Sequence, residues 1–210
     1  MDGAAVDVTS AAGATTVSPP AKLNTDLDVG WEQVRRAVIG MCIGDSLAFP
    51  LHWYYNYSAL QKDIKTYYPE RLRYYAVPKG ATHPSSWKYF SKVNTRDDLT
   101  NPIDIFNGQH DQWTVKDGHY HPAIPAGGNT ATTLLTRKLM EVLIKKKGYN
   151  QLEYLKAYTK FWTEGGQHHD TYIEGVHREF FRNWAQGVDW TECGTEGESC
   201  LSALTLALPI

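Results

Sequence analysis

The chain has 210 residues, 42% of them hydrophobic and 21% charged, with a mean hydropathy of -0.45, a balance that permits a globular core and argues against wholesale disorder. With 21 basic against 23 acidic residues, a net charge of -2, it offers no electrostatic footprint for nucleic acid. Its longest apolar run, from Leu201 to Ile210, falls short of the ~20 residues of a membrane-spanning helix, so neither nucleic acid nor a membrane is an expected partner. Cys42, Cys193 and Cys200 make neither a disulfide framework nor a zinc knuckle and suit a reducing compartment, so the cytoplasm is the expected location.

Residues 1–27 are dominated by Ala, Ser, Thr, Gly, Val and Pro, and close without any helical or strand period. They read as a disordered tail, and residues 28–210 as the folded domain. The tail has no basic, apolar or Arg-rich block of a targeting signal. From Asp28, a potential N-cap, Trp31, Val34, Val38 and Met41 recur at three- and four-residue intervals and predict a helix buried on that face. Ala37, Gly40 and Gly44 form a stripe of small residues that would admit another backbone.

Residues 52–128 carry Trp53-Tyr54-Tyr55, Tyr74-Tyr75 and six prolines, which interrupt every period; the segment reads as an irregular lid, wall or insertion. The aromatic content, 7 Trp, 13 Tyr and 6 Phe, suits stacking on sugars or bases as well as a core. Order returns at Asn129-Thr130, which can cap a helix with Leu134, Leu135, Leu139, Val142 and Leu143 inward and Lys145-Lys146-Lys147-Gly148 at its end. Another helix spans about Gln151–Thr163, with Leu152, Leu155, Tyr158 and Trp162 on one side, and stops at Gly165-Gly166. A fourth is predicted from about Thr171 to Ala185, opened by a Thr171-x-x-Glu174 capping box, with Ile173, Val176, Phe180 and Trp184 inward. The expected fold is all-α. The apolar end after Leu201 has no closing cap, and predicts either a domain cut short after its N-terminal half or a surface for self-association.

Three places can carry chemistry. Asp45 lies near the C-terminal end of the first helix, where its charge costs about 0.3–1 kcal/mol unless donors or a cation compensate; it is either a pocket wall near a metal or a turn cap. Gly127-Gly128-Asn129-Thr130 opens a helix and reads either as an anion cradle or as an ordinary loop and cap. His168-His169-Asp170-Thr171 offers imidazoles and a carboxylate for a divalent metal or a proton, or else a cap. His119-x-His121 can project two rings from one side of an extended segment but has no acidic or Cys neighbour at ligand spacing.

In order along the chain, these pieces resemble the ADP-ribosylglycohydrolase family, including its crystallin J1-like members. Ile39-Gly40-Met41-Cys42-Ile43-Gly44-Asp45-Ser46-Leu47-Ala48-Phe49-Pro50 is similar to the family's opening glycine-rich helix. Gly127-Gly128-Asn129-Thr130 stands where the family has Thr-Asp-Asp-Thr, and the stretch from Trp162 to Trp184 with His169-Asp170-Thr171-Tyr172 resembles the crystallin-like branch. The resemblance implies an all-α domain that holds Mg2+ or Mn2+ and hydrolyses an N- or O-glycosidic bond of ADP-ribose, with ADP-ribose or an ADP-ribosylated substrate as partner. It would make Asp45, Asn129 and Asp170 metal ligands. His52 would stand where the family has a Glu and carry a proton near its ordinary pKa of ~6.5, with Asp170 as the second catalytic residue. Trp53, Trp87 and Tyr172 would stack on adenine or ribose, and Gly127, Gly128, Thr130 and His169 would complete substrate binding. Gly128 and Asn129 replace two carboxylates of the family pattern, and a hard dication needs several oxygen ligands. The expected alternatives are therefore a binding or structural protein without hydrolysis, a divergent hydrolase, or a helical interaction module. All rest on Asp45, Asn129 and Asp170 meeting at one cavity.

Overall fold

The computed structural model describes residues 30–52, 54, 56–67, 75, 101–113 and 119–194. Among them the regular elements are helices: α1 (Trp31–Ala48), α2 (Tyr57–Tyr67), a single turn α3 (His110–Trp113), α4 (Ala131–Lys146), α5 (Gln151–Thr163) and α6 (Gly175–Ala185), with a short 3-10 turn at Phe49–Leu51 after α1. Asp28, Trp53, Trp87, Cys200 and the apolar end from Leu201 to Ile210 lie outside the described residues.

α4 and α5 form the centre of the fold, and α1 packs on α4. α4 ends as its sequence predicts: Lys147 turns into the left-handed region at φ 56, and the amide of Gly148 returns to the Leu143 carbonyl at 3.0 Å, which closes the helix without a proline. α5 begins at Asn150, whose side chain accepts from the Glu153 amide at 3.0 Å. Its inner face supplies Tyr158, Phe161 and Trp162 to a core completed by Ile105, Phe106, Ala131, Leu135, Ile173, Phe180, Phe181 and Cys193. Each large side chain buried there contributes about 1.5–3 kcal/mol. Leu152 instead lies on the surface.

Four expectations need correction. α1 is a helix over the predicted residues, but its predicted inner face is covered only towards the C-terminal end: Trp31 is 88% and Val34 39% exposed, whereas Val38 and Met41 are half-buried, with Cys42 half-buried and Ser46 buried beside them. Periodicity defines a stripe without saying where polar anchors will hold it. Here Cys42, Asp45 and Ser46 near the C-terminal end are all bonded to Asn129. Nor does the small-residue stripe receive a backbone, since a Cβ built on Gly40 or Gly44 meets nothing within 4 Å among the described residues.

The Thr171-Glu174 capping box does not form, and α6 starts at Gly175. The Thr171 hydroxyl donates instead to the Tyr120 carbonyl, and the Tyr172 amide to Asp170 at 3.1 Å. Committed across the fold, residues 171–174 stay extended. Finally, the segment expected to be irregular contains α2. Asn56 caps it by accepting from the Ala59 amide at 3.0 Å, and its inward Asp63 accepts from the Tyr54 hydroxyl at 2.6 Å.

The turn before α4 is tight. A Cβ on Gly128 would lie 2.8 Å from Ile124 Cγ2 and 3.0 Å from the Pro125 carbonyl oxygen. Ile124 is buried and the carbonyl belongs to the backbone, so neither yields easily. Gly128→Ala is therefore expected to lower stability by about 1–3 kcal/mol, the usual cost of overpacking. Thermal unfolding checks this; an unchanged melting temperature would mean that the turn has slack.

Candidate functional site

The N-terminal end of α4 draws the distant segments together. Its first amides point out of the helix without intrahelical acceptors, and two carboxylates from elsewhere in the chain answer them. Asp45 Oδ2 accepts from the Thr130 amide at 2.8 Å and from Asn129 Nδ2 at 2.9 Å, while its Oδ1 accepts from the Thr130 hydroxyl at 2.8 Å. Asp170 Oδ2 accepts from the Ala131 amide at 2.9 Å. The compensation that Asp45 requires at the end of α1 thus comes from donors at the start of α4, where the helix dipole favours negative charge.

Around this junction lies a cavity of about 530 Å3, lined by Asp45, Phe49, His52, His121, Thr130, Trp162, Asp170, Tyr172, Glu174 and His177 among others. That volume falls within the ~300–1,000 Å3 typical of small-molecule sites. Asp45, Thr130, Asp170 and Tyr172 share the cavity, and Asn129 sits directly behind it, tied to Asp45.

His169 is exposed and is not part of the lining. Its neighbour His168 is the buried one, stacked on Phe161 and bonded to Asn107 at 2.8 Å. Gly127 and Gly128 are likewise outside the lining. The Gly128 amide closes a turn on Pro125 at 2.9 Å, and its carbonyl accepts from Ser46 at 2.5 Å. With the Thr130 and Ala131 amides also committed to carboxylates, the expected anion cradle is already used by the protein itself.

The buried polar groups form one chain. Asp170, 2% exposed, accepts through Oδ1 from His121 Nδ1 at 2.7 Å, and His121 Nε2 lies 2.7 Å from His52 Nδ1. The two imidazoles are within 13° of coplanar with centroids 5.0 Å apart. That separation equals the N···N distance plus two ring radii, so the rings meet edge to edge with the bond in line.

Burial alone would raise the Asp170 pKa. The charge and hydrogen bond of His121 and the amides of Ala131 and Tyr172 outweigh it and hold the carboxyl below its usual range. His52 keeps an exposed edge, yet burial of its ring and then the charge of His121 lower it to about 3. This corrects the expectation that His52 carries a proton near its ordinary pKa. Across the cavity His177 is lowered to about 3, by burial and then by Arg178, and its Nδ1 pairs with the Tyr158 hydroxyl at 2.8 Å.

The residues expected to hold Mg2+ or Mn2+ do not fit a hard dication. Such an ion needs several oxygens turned towards it, whereas six protein donors fill both lone pairs of one oxygen and one of the other on each of Asp45 and Asp170, which leaves at most one lone pair per carboxylate for an ion. Asn129 turns its amide nitrogen inward, to the Cys42 carbonyl, Asp45 and Ser46; two of those partners accept only, which settles the orientation of the amide. Among the described residues no group of three His, Cys, Asp or Glu is placed to hold a metal.

Sequence reasoning did not place His121, Glu174 or His177 in the site. The His119-x-His121 spacing was a usable signal for His121, but its carboxylate partner lies 49 residues away.

Described residues whose regular elements are all helices, with distant segments that bring carboxylates and imidazoles to one cavity, define the class. Residues 26–210 match the family model for ADP-ribosylglycohydrolase, and the chain belongs to that family. No curated protein and no solved structure matches it. The family is generally metal-dependent and acts on ADP-ribosylated substrates. No helix among the described residues is long and apolar enough to cross a membrane.

Proposed function

We propose that this protein binds an ADP-ribosyl group in the cavity at the start of α4, without a divalent metal. One observation carries the reading: Asp45 and Asp170, at the head of α4, accept from protein amides, a hydroxyl and an imidazole, so their charge is compensated before any ligand arrives. A cavity of this kind meets a ribose with polar atoms at Thr130 and His52 and with aromatic walls at Trp162 and Tyr172. The family match over residues 26–210 supports taking residues 28–210 as the binding domain. Trp53 and Trp87 remain candidate stacking residues.

Calorimetric titration with ADP-ribose tests this. The expected result is one-site binding in EDTA that changes less than twofold on adding Mg2+ or Mn2+. Binding that needs the metal would overturn the metal-free reading, and a folded protein that binds nothing would favour a structural, crystallin-like role or an interaction module.

Hydrolysis of an N- or O-glycosidic bond of ADP-ribose is a second reading, favoured by His52 at the cavity with Asp170 behind it. In that case His52 and Asp170 are the catalytic pair. Release of free ADP-ribose from an ADP-ribosylated protein distinguishes it from binding alone.

A further inference from the structure

We propose that Glu174 and His177 form a hydroxyl-reading subsite in the cavity, where His177 Nε2–H donates to a ribose oxygen and the O–H of that oxygen donates to Glu174. The inference deepens the binding reading above and rests on it for the ligand. The state of His177 follows from the protein alone.

Glu174 directly precedes α6 and His177 lies three residues further on, so the start of the helix sets both side chains on one face. Both line the cavity. His177 Nε2 lies 3.9 Å from Glu174 Oε2, too far for a direct hydrogen bond, and it is not one of the polar atoms sealed without a partner among the described residues. An oxygen ~2.8 Å from each atom fits across that gap and subtends about a right angle, near the spread between a hydroxyl's proton and its lone pairs. A carboxylate offers several acceptor sites, so Glu174 can receive a ligand proton beside its other contacts.

The far side of the His177 ring fixes which nitrogen donates. Nδ1 is 2.8 Å from the Tyr158 hydroxyl. Tyr158 is buried, and burial holds its hydroxyl well above the usual pKa, so the O–H keeps its proton. The indole N–H of Trp162 is turned to the same oxygen without completing a hydrogen bond. An N–H only donates, so the accepting side of the hydroxyl faces Trp162 and its proton faces His177. A proton on Nδ1 would leave the Tyr158 O–H stranded in the core. His177 itself is neutral at pH 7, because burial and Arg178 lower it to about 3. A neutral ring with its lone pair on Nδ1 carries its proton on Nε2, the nitrogen beside Glu174.

One donor and one acceptor side by side select a group that both accepts and donates, which is a hydroxyl. A phosphate oxygen accepts from His177 but brings no proton to Glu174. The subsite therefore reads the sugar of an ADP-ribosyl group and not its diphosphate. Long-range proton–nitrogen correlation NMR on histidine-labelled protein at pH 7, with His177→Gln to assign the ring, reads the tautomer before any ligand is added. The expected result is a protonated Nε2 and an unprotonated Nδ1 on His177. A ring protonated on Nδ1 overturns the proposal.

ADP-ribose, and analogues of it that each lack one ribose hydroxyl, are then titrated calorimetrically into the unaltered protein, His177→Gln and His177→Phe. Gln keeps an N–H close to the place of Nε2 and is expected to bind ADP-ribose within about threefold of the unaltered protein, whereas Phe loses about tenfold. Removal of one particular hydroxyl is expected to cost about tenfold in the unaltered protein and less than about twofold in His177→Phe. Equal losses in both proteins for every hydroxyl would mean that water keeps the gap, and would overturn the proposal. Glu174→Gln carries the same comparison if His177→Phe does not fold. A protein that binds no ADP-ribose takes the binding reading down with this one, whereas binding without the coupling overturns this one alone.

Discussion

Asp170→Ala is expected to lower the unfolding free energy by about 3–5 kcal/mol, the range for removing one partner of a buried charged pair. The carboxylate is 2% exposed, and its loss leaves the Ala131 amide, the Tyr172 amide and His121 Nδ1 without their acceptor. Each stranded buried donor costs about 1–3 kcal/mol. Against the ~5–15 kcal/mol that stabilises a typical domain, this is a large fraction. Urea unfolding followed by circular dichroism measures it. A loss below 1 kcal/mol would mean that water replaces the carboxylate and that the site is looser than its hydrogen bonds imply. Asp170→Asn keeps the shape and one acceptor oxygen, and should lose less.

Acid is expected to destabilise the fold well before the carboxylates titrate. His119 and His177 are 6% and 4% exposed. Burial is the main cause that lowers them to about 2 and about 3, aided by His121 at the first and Arg178 at the second. In the unfolded chain both return to about 6.5. Between pH 6.5 and pH 3 the unfolded state therefore binds protons that the folded state refuses, and stability falls as the pH falls. The slope approaches about 1.4 kcal/mol per pH unit for each fully buried histidine, giving roughly 3–4 kcal/mol lost from pH 7 to pH 5. His168, also lowered chiefly by burial, adds a loss of the same sign. Asp170, held below its usual range, adds its own only below its unfolded value of ~3.9. Urea denaturation at pH 7, 6 and 5 checks the trend; a change under 1 kcal/mol across that range would show that these imidazoles reach solvent.

The parts of the fold that could be read from the chain are those specified by neighbours in sequence. α5 is bounded by Asn150 and Gly165-Gly166, and its predicted and observed limits agree. α4 is closed by its lysines and Gly148, as local chemistry requires. α1 was legible as a helix, but not the gathering of its burial at the C-terminal end, where Asn129 holds the Cys42 carbonyl from 87 residues away. The same holds for Thr171, whose spacing to Glu174 satisfies a local rule that its bond to the Tyr120 carbonyl overrides.

At the site, Asp45 and Asp170 drew notice because each is a carboxylate near a helix end. The functions assigned to them remain proposals, but their meeting at α4 is a matter of geometry. His121 carried no local mark beyond its spacing to His119. Its significance depends on two contacts, to residues 69 and 49 positions away, and no periodicity or motif window spans that distance.

The two carboxylates at the head of α4 also bear on how the chain reaches this structure. Asp45 bonds to Thr130 across 85 positions and Asp170 to Ala131 across 39, so each loop must close, against its entropy, before its contact is rewarded. α4 and α5 can pair early through nearby contacts, but the hollow between them cannot exist until residues on both sides have arrived. A chain released only as far as α5 therefore lacks Asp170, Tyr172 and His177 of the cavity wall, and the cavity closes only once they have followed.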